Sequence, residues 1–218
     1  MNKMKEELRE KMLSRARTLP YFLQKTFFGL LHKREYTRWK KTGKPLPPPR
    51  IIKENTIEKY LKSTGYSTLV ETGTYRGDMI FAQIKKFKKI ISIELDMELS
   101  RIAQKRFKDY RHVTIIQGDS AEKLQNVIDQ IEEPVVFWLD GHYSGGVTAL
   151  GSKVTPIFEE LKIIFSKKLN HVILIDDARL FTGNDGYPTL ESLKNFIFNY
   201  KPECEIQISD DCIQIMVK

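Results

Sequence analysis

The chain has 218 residues, 41% of them hydrophobic and 29% charged, with a formal net charge of +8. That is enough for one sizeable α/β domain with length left for an appendage, and no apolar run approaches the roughly 20 residues a membrane span needs. Charge from Lys3 onward argues against a signal peptide. Cys204 and Cys212 form no Cys-x-x-Cys pair, so neither a disulfide framework nor a thiolate zinc site is expected, and a reducing cytoplasm is the expected setting.

The charge is unevenly placed. Residues 1–50 hold 14 Lys/Arg against 4 Asp/Glu, and the rest is nearly neutral. Residues 3–17 read as a helix with Met4, Leu8 and Met12 on one side. A second helix follows Pro20 and puts Leu23, Phe27, Leu30 and Leu31 on a shared face. The basic run Lys33 to Lys41 comes next, carrying Tyr36 and Trp39. Gly43 and the prolines 45, 47, 48 and 49 then stop any helix. A domain boundary is expected there, dividing a basic helical extension, 1–50, from a second domain, 51–218.

A helix near 53–63 precedes a strand at 68–70. Helix 77–86, strand 89–94, helix 97–107 capped by Asp96, and strand 112–116 follow. Next come Gly118-Asp119-Ser120 and a helix to about Ile128, strand 135–139, helix 156–165 opened by Thr155-Pro156, and strand 171–175. Helix 190–200 after Thr189 leads to strands 204–208 and 212–217. The short joint Ser209-Asp210-Asp211 forces those last two strands to be antiparallel. Such alternation predicts a mostly parallel sheet covered on both faces.

Acids follow the strand-like runs at Glu71, Glu94, Asp140 and Asp176-Asp177. In a parallel sheet they line one carboxyl edge, where open α/β sheets bind ligands. Gly73 and Gly77, at the first strand-to-helix turn, let backbone approach a ligand. Glu94 can accept two ribose hydroxyls, and Asp119 and Ser120 can contact a base edge. The bland alternative is ordinary turn glycines and a helix-capping acid. The phosphate-binding Gly-x-Gly-x-x-Gly and the P-loop are both missing. An acid in the first loop repels phosphate and welcomes a cationic amino-acid moiety, which favours S-adenosylmethionine over NAD.

Glu71-x-Gly73-x-Tyr75-x-Gly77, Glu94 within Ser92-Ile93-Glu94-Leu95, and Gly118-Asp119-Ser120 resemble the successive motifs of class I S-adenosylmethionine-dependent methyltransferases over residues 65–218. The resemblance implies a Rossmann-like seven-stranded sheet with a reversed last strand. It also implies a cofactor site of Glu71, Gly73, Thr74, Tyr75, Gly77, Glu94, Asp119, Ser120 and Asp140. Glu71 would meet the methionine ammonium, Glu94 the ribose, and Asp119 or Ser120 the adenine.

Asp140 with Asp176-Asp177 is similar to the metal-binding acids of the metal-dependent O-methyltransferases, of the catechol and macrocin (sugar-modifying) types. Hard oxygens select Mg²⁺ or a similar cation. The resemblance implies metal ligands Asp140, Asp176 and Asp177, and a metal-bound hydroxyl as acceptor. The catechol-type lysine is replaced by Tyr143, so His142 is the candidate base, with Asp140 the other catalytic residue. The glycine-rich stretch 140–151 reads as a lid. Arg179 is expected to bind an anionic group or pair with Asp177.

The expected acceptor is a hydroxylated small molecule or a glycan sugar. The first 50 residues read as a contact with an anionic membrane face, a lid or homodimerisation arm, or a solvated extension; nucleic acid is the weakest fit. Two rivals stay open: a metal-independent methyltransferase, and a non-catalytic binding protein of the same fold held by its basic arm.

Overall fold

The computed structural model describes residues 2–141 and 155–218. The chain divides into two units, Met1–Ile51 and Ile52–Lys218. The first holds helices α1 (Asn2–Ala16) and α2 (Tyr21–Lys41). α2 stops where Gly43 and Lys44 take positive φ of 85° and 58°. The Trp39 indole N–H then donates to the Pro45 carbonyl at 2.8 Å, fixing the turn against the helix end.

Within this unit the buried stripe is not the expected one. On α2 it comprises Gln24, Phe28, His32 and Trp39. Leu23 and Leu30 are exposed, as are Met4, Leu8 and Met12 of α1. Gln24 is satisfied by the carbonyls of Arg17 and Leu19, at 3.1 and 3.2 Å. The Arg50 guanidinium sits 5.0 Å from the centre of the Phe28 ring, with a nitrogen 2.9 Å from His32 Nε2.

Helix α3 (Arg50–Thr64) leads into a seven-stranded sheet. Its strands are β1 (Thr68–Thr72), β2 (Lys89–Glu94), β3 (Val113–Gln117), β4 (Val136–Leu139), β5 (Val172–Ile175), β6 (Glu205–Ser209) and β7 (Cys212–Met216). The connecting helices are α4 (Asp78–Gln83), α5 (Met97–Phe107), α6 (Ser120–Asp129), α7 (Ile157–Phe165) and α8 (Leu190–Tyr200). Strand order is β3-β2-β1-β4-β5-β7-β6. β7 is antiparallel to both neighbours, and the other pairings are parallel. The β6–β7 joint is a two-residue turn with positive φ at Asp210 and Asp211, the geometry that matches strand twist.

Period-two patterning fixes the layers. Val70, Ile93, Phe137, Leu139, Ile173, Ile175 and Ile213 point to one face, in a core shared with Leu124 and Ile128 of α6, Leu161 and Ile164 of α7, and Leu193 and Ile197 of α8. The alternate residues Leu69, Ile90, Trp138 and Leu174 are equally buried on the other face. α3 lies on that side, where the Tyr60 hydroxyl meets Gln214 Oε1 of β7 at 2.9 Å. Gln83 at the end of α4 donates to the Glu54 carbonyl at 3.1 Å. The order reverses between β1 and β4, so their carboxyl ends flank the switch point where such sheets bind ligands.

Candidate functional site

The first departure from expectation is at Glu71. β1 runs two residues past its expected end, so Glu71 lies within the strand rather than opening the loop. It pairs in register with Ser92 on one side and Trp138 on the other. Its carboxylate, 1% exposed, accepts from the Ser92 hydroxyl. Ser92 in turn shares a hydrogen bond of 2.5 Å with Thr74. Burial, with repulsion from Asp140 and Glu94, pushes the Glu71 carboxyl well above the ordinary range, against the pull of Ser92. Glu71 thus ties the strand to the loop above it.

That loop is shaped by glycines, for reasons internal to the chain. Gly73 has φ 85°, and a Cβ there would come within 2.3 Å of the Asp140 carbonyl oxygen. Gly77 has φ 71°, and its Cβ would meet Phe107 of α5 at 2.5 Å. The room these glycines leave is taken by the β4 loop and by α5. Tyr75, also at positive φ, donates its backbone N–H to Glu94 Oε2 at 2.7 Å. Glu94 Oε1 accepts from the Asp96 amide at 2.9 Å. Each Glu94 oxygen therefore has one backbone donor, and a carboxylate offers about four acceptor positions, so capacity for a diol is retained. Burial raises the Glu94 carboxyl pKa, and the backbone amides of Asp96, Tyr75 and Leu95 restrain that shift.

Asp96 caps α5 as expected, accepting from the Leu99 amide at 2.8 Å. Asp119 does the same for α6, accepting from the Ala121 amide at 2.9 Å through Oδ1. Ser120 is the first residue of that helix and is buried. Asp119 keeps Oδ2 and a second acceptor position on Oδ1 for a base edge.

Asp140, Asp176 and Asp177 come together at the ends of β4 and β5, each offering an oxygen within 4.8 Å of the others. Two ligands of one Mg²⁺ or Ca²⁺ stand at most about 4–5 Å apart, so these three hard oxygens fit a divalent cation. Asp177 adopts the left-handed region, φ 56° and ψ 46°, a conformation costing a non-glycine residue roughly 1–2 kcal/mol. Its amide donates to Asp176 Oδ1 at 2.8 Å. Arg179 makes the pairing with Asp177, at 2.7 Å, and its guanidinium also meets the Asp211 carboxylate. His142, Tyr143 and the glycine-rich stretch through Gly151 lie outside the described residues apart from Asp140 and Gly141.

Two participants escaped the sequence reading. Asp211, from the β6–β7 turn, accepts from the Arg179 amide at 2.9 Å and holds that side chain beside Asp177. Lys53, in the first turns of α3, bonds Asp176 Oδ2 and stands 3.0 Å from Asp177 Oδ1. Burial works against its ammonium, but Asp176, Asp140 and Asp177 outweigh it and hold the Lys53 pKa above the lysine norm. Burial and the Asp140 charge push Asp176 the other way for an acid, upward, as carboxylates crowd one ammonium. A signal for Lys53 existed: it shares a helical stripe, at i, i+4 and i+7, with the buried Ile57 and Tyr60.

No protein-family model matches the chain. One curated relative, ribosomal RNA small subunit methyltransferase A of Caldanaerobacter subterraneus subsp. tengcongensis, is 32% identical over 75 residues, covering 33% of this chain and 28% of the relative. The match thus spans about a quarter of that protein's length. Among solved structures, the O-methyltransferase of Bacillus cereus in complex with SAH superposes with TM-score 0.58 at 12% identity, over 85% of this chain and 90% of that one. TomG of Streptomyces achromogenes, an O-methyltransferase in complex with SAM, gives 0.57 at 11%, over 85% and 87%. SAH-bound PaMTH1 of Podospora anserina gives 0.55 at 18%, over 76% and 78%. With the strand order and reversed β7, these likenesses establish that residues 52–218 have the fold of the class I S-adenosylmethionine-dependent methyltransferases.

Proposed function

We propose that the protein is an S-adenosylmethionine-dependent O-methyltransferase that uses Mg²⁺ and acts on a hydroxylated small molecule or a glycan sugar. The observation that carries this reading is the meeting of Asp140, Asp176 and Asp177 on the sheet edge that also bears Glu94. O-methyltransferases among the similar structures support it. Glu94 would hold the ribose, Asp119 or Ser120 the adenine, and Glu71 with the Gly73–Gly77 loop, including Thr74 and Tyr75, the amino-acid end. When bound, the cofactor supplies a sulfonium methyl group and the cation lowers the pKa of an acceptor hydroxyl. Asp140, Asp176 and Asp177 would hold the cation and so orient that hydroxyl, and His142 would take its proton.

The test is calorimetric titration of S-adenosylmethionine into the full chain, with Mg²⁺ and with EDTA, beside Glu94→Ala. Removing this carboxylate takes away the acceptor for the ribose hydroxyls, so affinity should fall roughly 5- to 150-fold, about 1–3 kcal/mol. Methyl transfer to vicinal-diol sugars that stops in EDTA would complete the reading. Absence of cofactor binding under both conditions would overturn it.

The metal-independent alternative has one observation in its favour, the Lys53 ammonium against Asp176 and Asp177. Activity that persists in EDTA and in Asp176→Ala would select it. For the first 50 residues we propose peripheral contact with an anionic membrane face, on the exposed Phe22, Leu23 and Leu30 among many cations. A dimerisation arm is the other use of that surface. No helix among the described residues is long and apolar enough to cross a membrane.

A further inference from the structure

We infer that Lys53 is the built-in cation of the Asp140–Asp176–Asp177 seat, and that a divalent ion enters by exchanging with its ammonium. The inference rests on the metal reading proposed above and adds a residue to it.

The placement of Lys53 is built into the fold. Tyr60, two helical turns along the same stripe, is bonded to Gln214 of β7. Those turns span roughly 10 Å, which sets the Lys53 backbone over the ends of the central strands. Its side chain is only 18% exposed. An ammonium withdrawn from water needs matched acceptors. Lysine offers three donors and no acceptor, so it is suited to bridge Asp176 and Asp177 as it does.

Charge then decides what can replace it. Asp140, Asp176, Asp177 and Asp211 set four carboxylates beside the two cations Lys53 and Arg179. A monovalent ion replacing the ammonium at the oxygens would exchange one charge for another. A divalent ion adds charge and can take all three oxygens. The flexible lysine stem lets the head swing out while α3 stays in place. Lys53 therefore sets the threshold for metal entry and selects for divalent ions.

The experiment is Mn²⁺ titration of the full chain, followed by the spectroscopic signal of free Mn²⁺ in wild type, Lys53→Met and Lys53→Arg. Lys53→Met keeps the stem and removes the competing charge. It should bind Mn²⁺ at least tenfold more tightly than wild type, and Mn²⁺ should raise its melting temperature more. Lys53→Arg should bind no more tightly than wild type. Should Lys53→Met fold poorly without the ammonium, Lys53→Gln carries the same expectation with a polar head. Equal Mn²⁺ affinity in wild type and the uncharged variants overturns the exchange and leaves the metal reading standing. Failure of every form to bind Mn²⁺ overturns both.

Discussion

The two units of this chain treat apolar residues in opposite ways. In residues 52–218 the strand side chains are withdrawn almost completely, with Phe137 at 0% and Trp138 at 1% exposure. In the first 51, Phe22 and Leu30 are 72% and 68% exposed, while the polar Gln24 and His32 are buried. The larger unit closes its own core, and the buried carboxylates Glu94, Asp176 and Asp177 stand at its strand ends. The smaller one buries a narrow stripe and leaves Phe22, Leu23 and Leu30 exposed in a segment rich in cations.

The contrast should be sharpest in stability. Phe137 sits mid-sheet in the core shared by α6, α7 and α8, so Phe137→Ala should cost about 3–5 kcal/mol. Urea denaturation followed by tryptophan fluorescence would measure it. A loss below about 1 kcal/mol would mean that this core is looser than its packing implies.

The legible parts were those governed by near neighbours. Strand and helix order, the Asp96 cap and the antiparallel closing hairpin follow from periodicity and local hydrogen bonding, whereas α7 begins one residue later than expected, with Pro156 and not Thr155 at its N-cap. Asp140 and Asp176-Asp177 could be named because strand ends in parallel sheets share an edge. Strand order itself could not be read, because β1 pairs with β2 and β4 through contacts that local patterns do not encode. Lys53 meets Asp176 across 123 positions of sequence, and only the helical stripe it shares with Ile57 and Tyr60 hinted that its charge faces inward. Glu71 was misplaced by two residues of strand, which turned a loop acid into a sheet-face acid. Leu23 and Leu30 on α2 share a face as expected, but burial went to the neighbouring stripe.

A second effect, nearly as large, distinguishes the larger unit by pH. His171 precedes β5, is buried, and accepts from the Val135 amide through Nδ1 at 3.2 Å. Burial, with Lys201 and Lys167 nearby, lowers its pKa to about 4. An unfolded histidine titrates near 6.5. As pH falls below that value the unfolded chain takes up a proton that the folded chain refuses, so stability falls until pH nears 4. The full span is worth up to about 3 kcal/mol. His171→Gln keeps an acceptor for Val135 and cannot titrate. Denaturation at pH 7.5 and 5 should show a smaller loss in the variant than in wild type. Glu71 and Asp176, with pKa raised in the fold, oppose this trend and do so in both proteins. Equal losses would show that His171 is not the group responsible.

The smallest expected effect on stability belongs to the basic extension, and there a small effect is the informative one. Phe22 and Leu30 already face outward, so Phe22→Ser and Leu30→Ser should each change unfolding free energy by no more than about 0.5 kcal/mol. The same substitutions should weaken co-sedimentation with vesicles containing anionic phospholipid, because adsorption scales with the apolar area inserted. Raising salt should weaken it too, because the cations of α1 and α2 act through a screened surface potential. Neutral vesicles serve as the control. If the double variant binds anionic vesicles as well as wild type does, the apolar face is not a membrane contact. If it instead shifts the protein from dimer to monomer in sedimentation analysis, the exposed stripe is a surface for a second copy.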